Sequence, residues 1–133
     1  ATEIVVLPPG GGSWGISTQA DLGVSDLFPN QWPQGAIIVR IVNNGPDPLT
    51  NMPNNQLACS AVIHPYNGAA VYSTSSNSPI NLDLGVGQNA TFNSGITVDG
   101  TTAWYQITCS IQANFPDPNS ANNSYSESFP PPP

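Results

Sequence analysis

The stretch AIIVRIVNNGPDP, Ala36 to Pro48, decides the fold. Its first eight residues, Ala36–Asn43, carry the β-branched density of a sheet interior. Asn43-Asn44-Gly45-Pro46 then supplies turn chemistry that no strand passes through unchanged. If Arg40 faces outward, the two-residue period turns Ile37, Val39 and Ile41 to the core and leaves Ile38 and Val42 beside the arginine. Two aliphatic residues on that outer face predict that it is partly covered. A second landmark, DPNSANNSYSES from Asp117 to Ser128, has similar turn chemistry at the far end.

Around these landmarks the chain reads as strands and loops. Ala20–Phe28 opens the body of the domain and Pro29–Gly35 is a turn. Asn44–Gln56 reads as a polar loop. Leu57–Ile63 follows, with Leu57, Cys59, Ala61 and Ile63 on one face. Asn67-Gly68 is a hairpin signal. Ala69–Thr74 is a short strand, Ser75–Pro79 a loop, and Ile80–Val86 leads to Gly87. Ala90–Val98 is the next strand, and Asp99-Gly100 turns the chain into Thr102–Gln112, the longest. There Tyr105, Ile107, Cys109 and Ile111 share a face. Ser124–Phe129 is the last strand. No stretch repeats apolar residues at i, i+3, i+4, i+7 over a helical length. The pattern predicts an all-β chain, an immunoglobulin-like β-sandwich of seven to nine short strands with an N-terminal strand-like extension. Residues 20–129 form the sandwich, 1–19 the extension and 130–133 a polyproline tail.

The 133 residues suffice for one domain with a real core. Charge is scarce: 7% of residues are charged, Arg40 is the sole base, and the formal net charge is −7. One arginine cannot make a phosphate-neutralising patch, so nucleic acid and anionic membrane surfaces are poor partners. No run is long enough to span a bilayer as a helix, so membrane insertion is not expected. Solubility then rests on Asn, Ser, Thr and Gln, as in many secreted β-proteins. The opening ATEIVV suits a secreted chain whose signal peptide has been removed. Cys59 and Cys109 both sit mid-strand on core faces. In a chain that reads as secreted they predict one disulfide, with two buried free thiols as the alternative.

Residues able to do chemistry are few. His64, the single histidine, precedes Pro65 in a turn, and no nucleophile-elbow glycine pattern surrounds a serine. The expectation is no catalytic residue, no metal centre and no cofactor. The acids sit mostly beside Gly, Pro or Asn, where turns favour Asp. Asp47, Asp117 and Asn119 could offer oxygens to calcium if the two landmark loops share one end of the sandwich. Trp32, Trp104, Tyr66 and Tyr72 could stack on sugar rings, or simply pack. Asn89-Ala90-Thr91 and Asn122-Asn123-Ser124 are glycosylation acceptor patterns.

ADLGVSDLFPNQWPQGAIIVRIVNNGPDPLTN at the front and FPDPNSANNSYSES at the back resemble prokaryotic cell-surface immunoglobulin-like repeats. That group includes a class with an Asn-Asn-Gly-Pro signature and the related CARDB (cell-adhesion-related) domains. The resemblance spans about Ala20 to Phe129. It implies a seven-stranded sandwich on an extracellular surface, with structural or adhesive duty and no catalytic residues. Such repeats usually run in tandem, whereas this chain holds a single copy behind a strand-like tail.

That tail sets the functional expectation. EIVVL, Glu3–Leu7, is a strand candidate joined to the sandwich by PPGGGSWG, a linker in which Trp14 has no obvious packing reason. Residues 2–7 make a donor-strand candidate, with Glu3, Ile4, Val5, Val6, Leu7 and Trp14 as the expected subunit interface. The chain therefore reads as a non-enzymatic, self-assembling subunit of an extracellular surface filament, its principal partner another copy of itself. The alternative is an adhesive or carbohydrate-binding module that recognises cell-surface glycans.

Overall fold

The computed structural model describes residues 19–129. Seven strands run in chain order: β1 (Ala20–Pro29), β2 (Gln34–Pro46), β3 (Leu49–Pro65), β4 (Tyr72–Leu84), β5 (Asn89–Asp99), β6 (Ala103–Gln112) and β7 (Ser124–Phe129). A single 3-10 turn, Ser120–Asn122, precedes β7. The strands form two antiparallel sheets, of order β1-β2-β5 and β4-β3-β6-β7. The architecture is a β-sandwich of immunoglobulin type.

The core follows from period-two alternation. Ile37, Val39 and Ile41 are fully buried on β2; Leu57, Cys59, Ala61 and Ile63 point inward from β3, and Tyr105, Ile107, Cys109 and Ile111 from β6. Ile38, Arg40 and Val42 share the outer face of β2 and are half-buried. Part of that cover is local. Arg40 pairs with Asp26 at 3.4 Å and lies over the Phe28 ring, 5.2 Å from its centroid. The Val42 side chain packs where Gly23 has no Cβ.

Two connections hold the sheets in register. Tyr105, near the start of β6, is buried, and its hydroxyl accepts the Asp99 N–H at 2.9 Å. This is the tyrosine corner of immunoglobulin-type sandwiches, placed where the chain crosses from β5 in one sheet to β6 in the other. At the opposite end Asn43 is fully buried. Its Nδ2 donates to the carbonyls of Asp47 (2.9 Å) and Leu84 (3.0 Å), and its Oδ1 accepts the Gly45 N–H (2.8 Å). Gly45 sits at φ +92°, which only glycine adopts without strain.

Three segments differ from the sequence reading. Most of the Asn44–Gln56 loop belongs to strands: β2 runs on to Pro46 and β3 starts at Leu49. β3 carries left-handed kinks at Asn51 (φ 47°) and Asn54 (φ 64°), with register shifts around Met52. Asparagine tolerates that conformation, so the ladder continues through residues that look like a loop. Ser75–Pro79 is likewise the middle of β4, not a loop. Its serines pair with Cys59, Ser60 and Leu57 of β3, and Pro79 is accommodated because β4 is an edge strand. The short strand expected from Ala69 begins only at Tyr72.

Candidate functional site

On one side of the sandwich the edge strands β1 and β7 lie next to each other, one from each sheet. Between them opens an apolar groove of about 360 Å³, lined by Leu27, Phe28, Pro29, Trp32 and Phe129 with the acids Asp26 and Glu127 at its margin. A bulge in β1 makes this lining. The register shifts between Val24 and Asp26, so the inward run Leu22, Val24 resumes at Leu27. Phe129 is buried at the end of β7. The Tyr125 hydroxyl donates to Glu127, and that bond to a carboxylate lifts its pKa above the ordinary tyrosine value.

Among the described residues β7 is an edge of its sheet, and that edge is continuous. The Ile111 N–H donates to the Asn123 carbonyl at 2.9 Å, and the β6–β7 register runs without a shift from Ser110–Ser124 to Tyr105–Phe129. Antiparallel alternation then turns the backbone N–H and C=O groups of Ser124, Ser126 and Ser128 away from β6. The other edges are interrupted: β1 by its bulge, β4 by Pro79 and β5 by Gly95 at φ +81°. Neither the groove nor the open edge of β7 stands out in the sequence, because both depend on which strands the topology makes neighbours.

The two landmark loops do lie at one end of the sandwich, on either flank of the start of β1. Their oxygens, however, serve the backbone. Asp47 Oδ2 accepts the Gln19 N–H (2.9 Å), and Asp117 Oδ2 accepts the Leu22 N–H (3.1 Å). Asp117 Oδ1 caps Asn119, and Asn119 Oδ1 caps Ala121. The carboxylates weighed as calcium ligands fasten β1 in place. Among the described residues no three His, Cys, Asp or Glu side chains gather as a metal site.

The aromatic candidates collect toward the opposite end. There the Tyr66 N–H donates to the Thr102 carbonyl and the Gly100 N–H to the Pro33 carbonyl, tying three connections together. The Trp32 ring rests on Gly100, where a Cβ would sit 2.5 Å from Cζ2. Trp32, Tyr66 and Tyr72 remain exposed. Trp104 is different: His64 stacks on it, centroids 3.8 Å apart and planes 7° from parallel, covering one face of the indole. His64 Nε2 bonds Gln106 Oε1 at 2.9 Å. The single imidazole is thus engaged with an indole and an amide, not with a serine or a carboxylate.

Cys59 and Cys109 form a disulfide. They are direct cross-strand neighbours on β3 and β6, so the bond lies within one sheet. Of the glycosylation candidates, Asn89 is exposed at the start of β5, whereas Asn122 is half-buried in the 3-10 turn. Glu3, Ile4, Val5, Val6, Leu7 and Trp14, the expected subunit interface, lie outside the described residues.

Neither a family model nor a curated protein sequence matches the chain. Among solved structures it is similar to a Bordetella pertussis protein solved under the name ApaA, at 17% identity and a TM-score of 0.39, covering 85% of this chain and 91% of that one.

Proposed function

We propose that this chain is a non-catalytic structural subunit of an extracellular surface filament, built by adding the N-terminal segment of one copy to the sheet of the next. The observation that carries the reading is a division within the chain. The described residues Ala20–Phe129 form two sheets, the tyrosine corner and a buried core, and EIVVL is a further strand-forming sequence ahead of a Gly-rich linker. An added strand gains main-chain hydrogen bonds along its length and needs an open edge to receive it. Head-to-tail addition that does not close yields a filament. The disulfide is compatible with an oxidising, extracellular setting, and the low charge density lets copies pack closely. The stacked, amide-bonded state of His64 supports a role without catalysis. The resemblance to cell-surface immunoglobulin-like repeats points to the same surface setting.

Electron microscopy of the purified full chain tests this directly, with filaments as the expected result. Deleting Ala1–Gly12 should leave a soluble monomer, and filaments from that truncation would refute strand addition by the tail.

A second reading is an adhesive or carbohydrate-binding module. It is favoured by the exposed Trp32, Tyr66 and Tyr72 around tied loops at one end. Binding on a glycan array that is lost on changing Trp32 or Tyr66 to Ala would support it.

A further inference from the structure

We infer that the groove between β1 and β7 is the receiving site, and that residues 2–7 of a second copy occupy it as a strand added to the free edge of β7. The inference rests on the filament reading above and names the surface through which it would work.

Length, polarity and chemistry each point to this occupant. β7 is six residues long, Ser124–Phe129, and so is the segment Thr2–Leu7. β1 begins at Ala20 beside the Asp47 and Asp117 loops, so the extension joins the sandwich at that end. The groove lies toward the other end, beside Pro29, Trp32 and Phe129. Donor and acceptor at opposite ends is the arrangement of an open head-to-tail polymer. β7 is also the edge whose register runs unbroken.

The acids at the groove margin decide which face of the incoming strand turns inward. Period two places Thr2, Ile4 and Val6 on one face and Glu3, Val5 and Leu7 on the other. Asp26 and Glu127 line the groove, so a buried Glu3 would meet like charge in a poorly solvated place. Ile4 and Val6 therefore face Leu27 and Phe129, and Glu3 and Val5 face solvent. The backbone groups of Ser124, Ser126 and Ser128 that point away from β6 are the ones that bond the added strand.

The experiment uses the full chain with one cysteine in each partner strand. Val5→Cys is combined in turn with Ser124→Cys, Ser126→Cys and Ser128→Cys, all on exposed or half-buried surface or in the tail. The native disulfide is buried and stays out of exchange. Under mild oxidation at least one pair should give a ladder of covalent oligomers on a non-reducing gel. Monomers cross-linked within one chain would overturn the inference, because the tail would then occupy its own groove. Wild-type filaments with no cross-linking in any pair would also overturn it while leaving the filament reading intact, since the tail would be docking on another edge. Absence of both filaments and cross-links would sink the two together. Ser126→Pro gives an independent check. Its N–H faces away from β6, so proline should leave the fold unchanged by circular dichroism and cut polymer yield at least tenfold. Ile4→Asp should do the same, while Val5→Asp should assemble nearly as well as wild type. Equal assembly by Ile4→Asp and Val5→Asp would contradict the assigned facing.

Discussion

Cys59 and Cys109 face each other across β3 and β6, their Cα atoms 4.1 Å apart. The β6–β7 ladder places Cys109 in a hydrogen-bonded pair with Tyr125, so relative to β3 it belongs to a non-hydrogen-bonded pair. That is the class in which Cα atoms approach to about 4.5 Å and a disulfide fits between neighbouring strands. In antibody domains the disulfide instead clamps the two sheets together through the core. Here the sheets are held by packing of the buried side chains of both into one hydrophobic core.

A bond within one sheet still closes a loop. The separation of 50 residues corresponds to about 4 kcal/mol in the loop-entropy picture. Replacing both cysteines with Ala should lower unfolding free energy by about 2–4 kcal/mol, read from guanidinium midpoints. The fold should survive, because the bond joins two strands of one sheet and the β3–β6 ladder remains without it. Intact mass with and without reductant, after alkylation, should detect two thiols only in the reduced wild type.

Asn43 gives a sharper prediction, because it is fully buried with all its side-chain polar atoms engaged. Asn43→Ala would leave the Asp47 and Leu84 carbonyls and the Gly45 N–H without their partner. Each buried group left unpaired costs about 1–3 kcal/mol, so the total should be about 3 kcal/mol or more. Asn43→Asp should be no milder, since an acceptor would then face two carbonyl oxygens. Denaturant midpoints test both. A loss below about 1 kcal/mol for Asn43→Ala would mean that water replaces the amide at no cost.

The landmarks that announced the fold turn out to be its fasteners, and this explains how much could be read in advance. The inward faces of β2, β3 and β6 were legible because Ile, Val, Leu and Cys alternate strictly with outward residues. Asn43, Asp47 and Asp117 were legible as residues that cap backbone groups, although β2 continues through the Asn43–Pro46 segment that reads as a turn. The middle of β4 was not legible. Serine, asparagine and proline have poor strand propensity, and the ladder from β3 holds Ser75–Pro79 extended. The β1–β7 groove was hidden for a different reason. The bulge between Val24 and Asp26 has no marker residue, yet it turns Leu27 inward and helps line the groove beside Phe129, a residue more than a hundred positions along the chain.

Asp99 links the tyrosine corner to pH. The Thr101 hydroxyl, and then its N–H, donate to the Asp99 carboxylate and hold its pKa below the ordinary value of 3.8. Between that lowered value and 3.8 the unfolded chain binds more protons than the folded one, so stability rises with pH across the window. The contribution is fully present above about pH 4 and disappears as pH falls through the folded-state value. Asp99→Asn keeps an oxygen acceptor but cannot titrate. Its melting temperature should therefore decline less steeply than that of the wild type from pH 4 to pH 2. Parallel curves for the two proteins would show that the Thr101 bonds do not favour the charged form.

The two glycosylation patterns should behave differently, because modification at Asn requires access to its Nδ2. Asn89 is exposed where β5 begins. Asn122 Oδ1 is buried without a protein partner, and its Nδ2 lies 3.4 Å from where a Cβ on Gly23 would stand. A glycan on Asn122 would have to displace that packing against β1, whereas one on Asn89 extends into solvent. When the chain is made in a glycosylating host, intact mass should show one occupied position. Asn89→Gln should abolish the added mass and Asn122→Gln should leave it unchanged. Mass that persists in Asn89→Gln and vanishes in Asn122→Gln would mean that the turn Ser120–Asn122 opens from β1 before the sandwich closes.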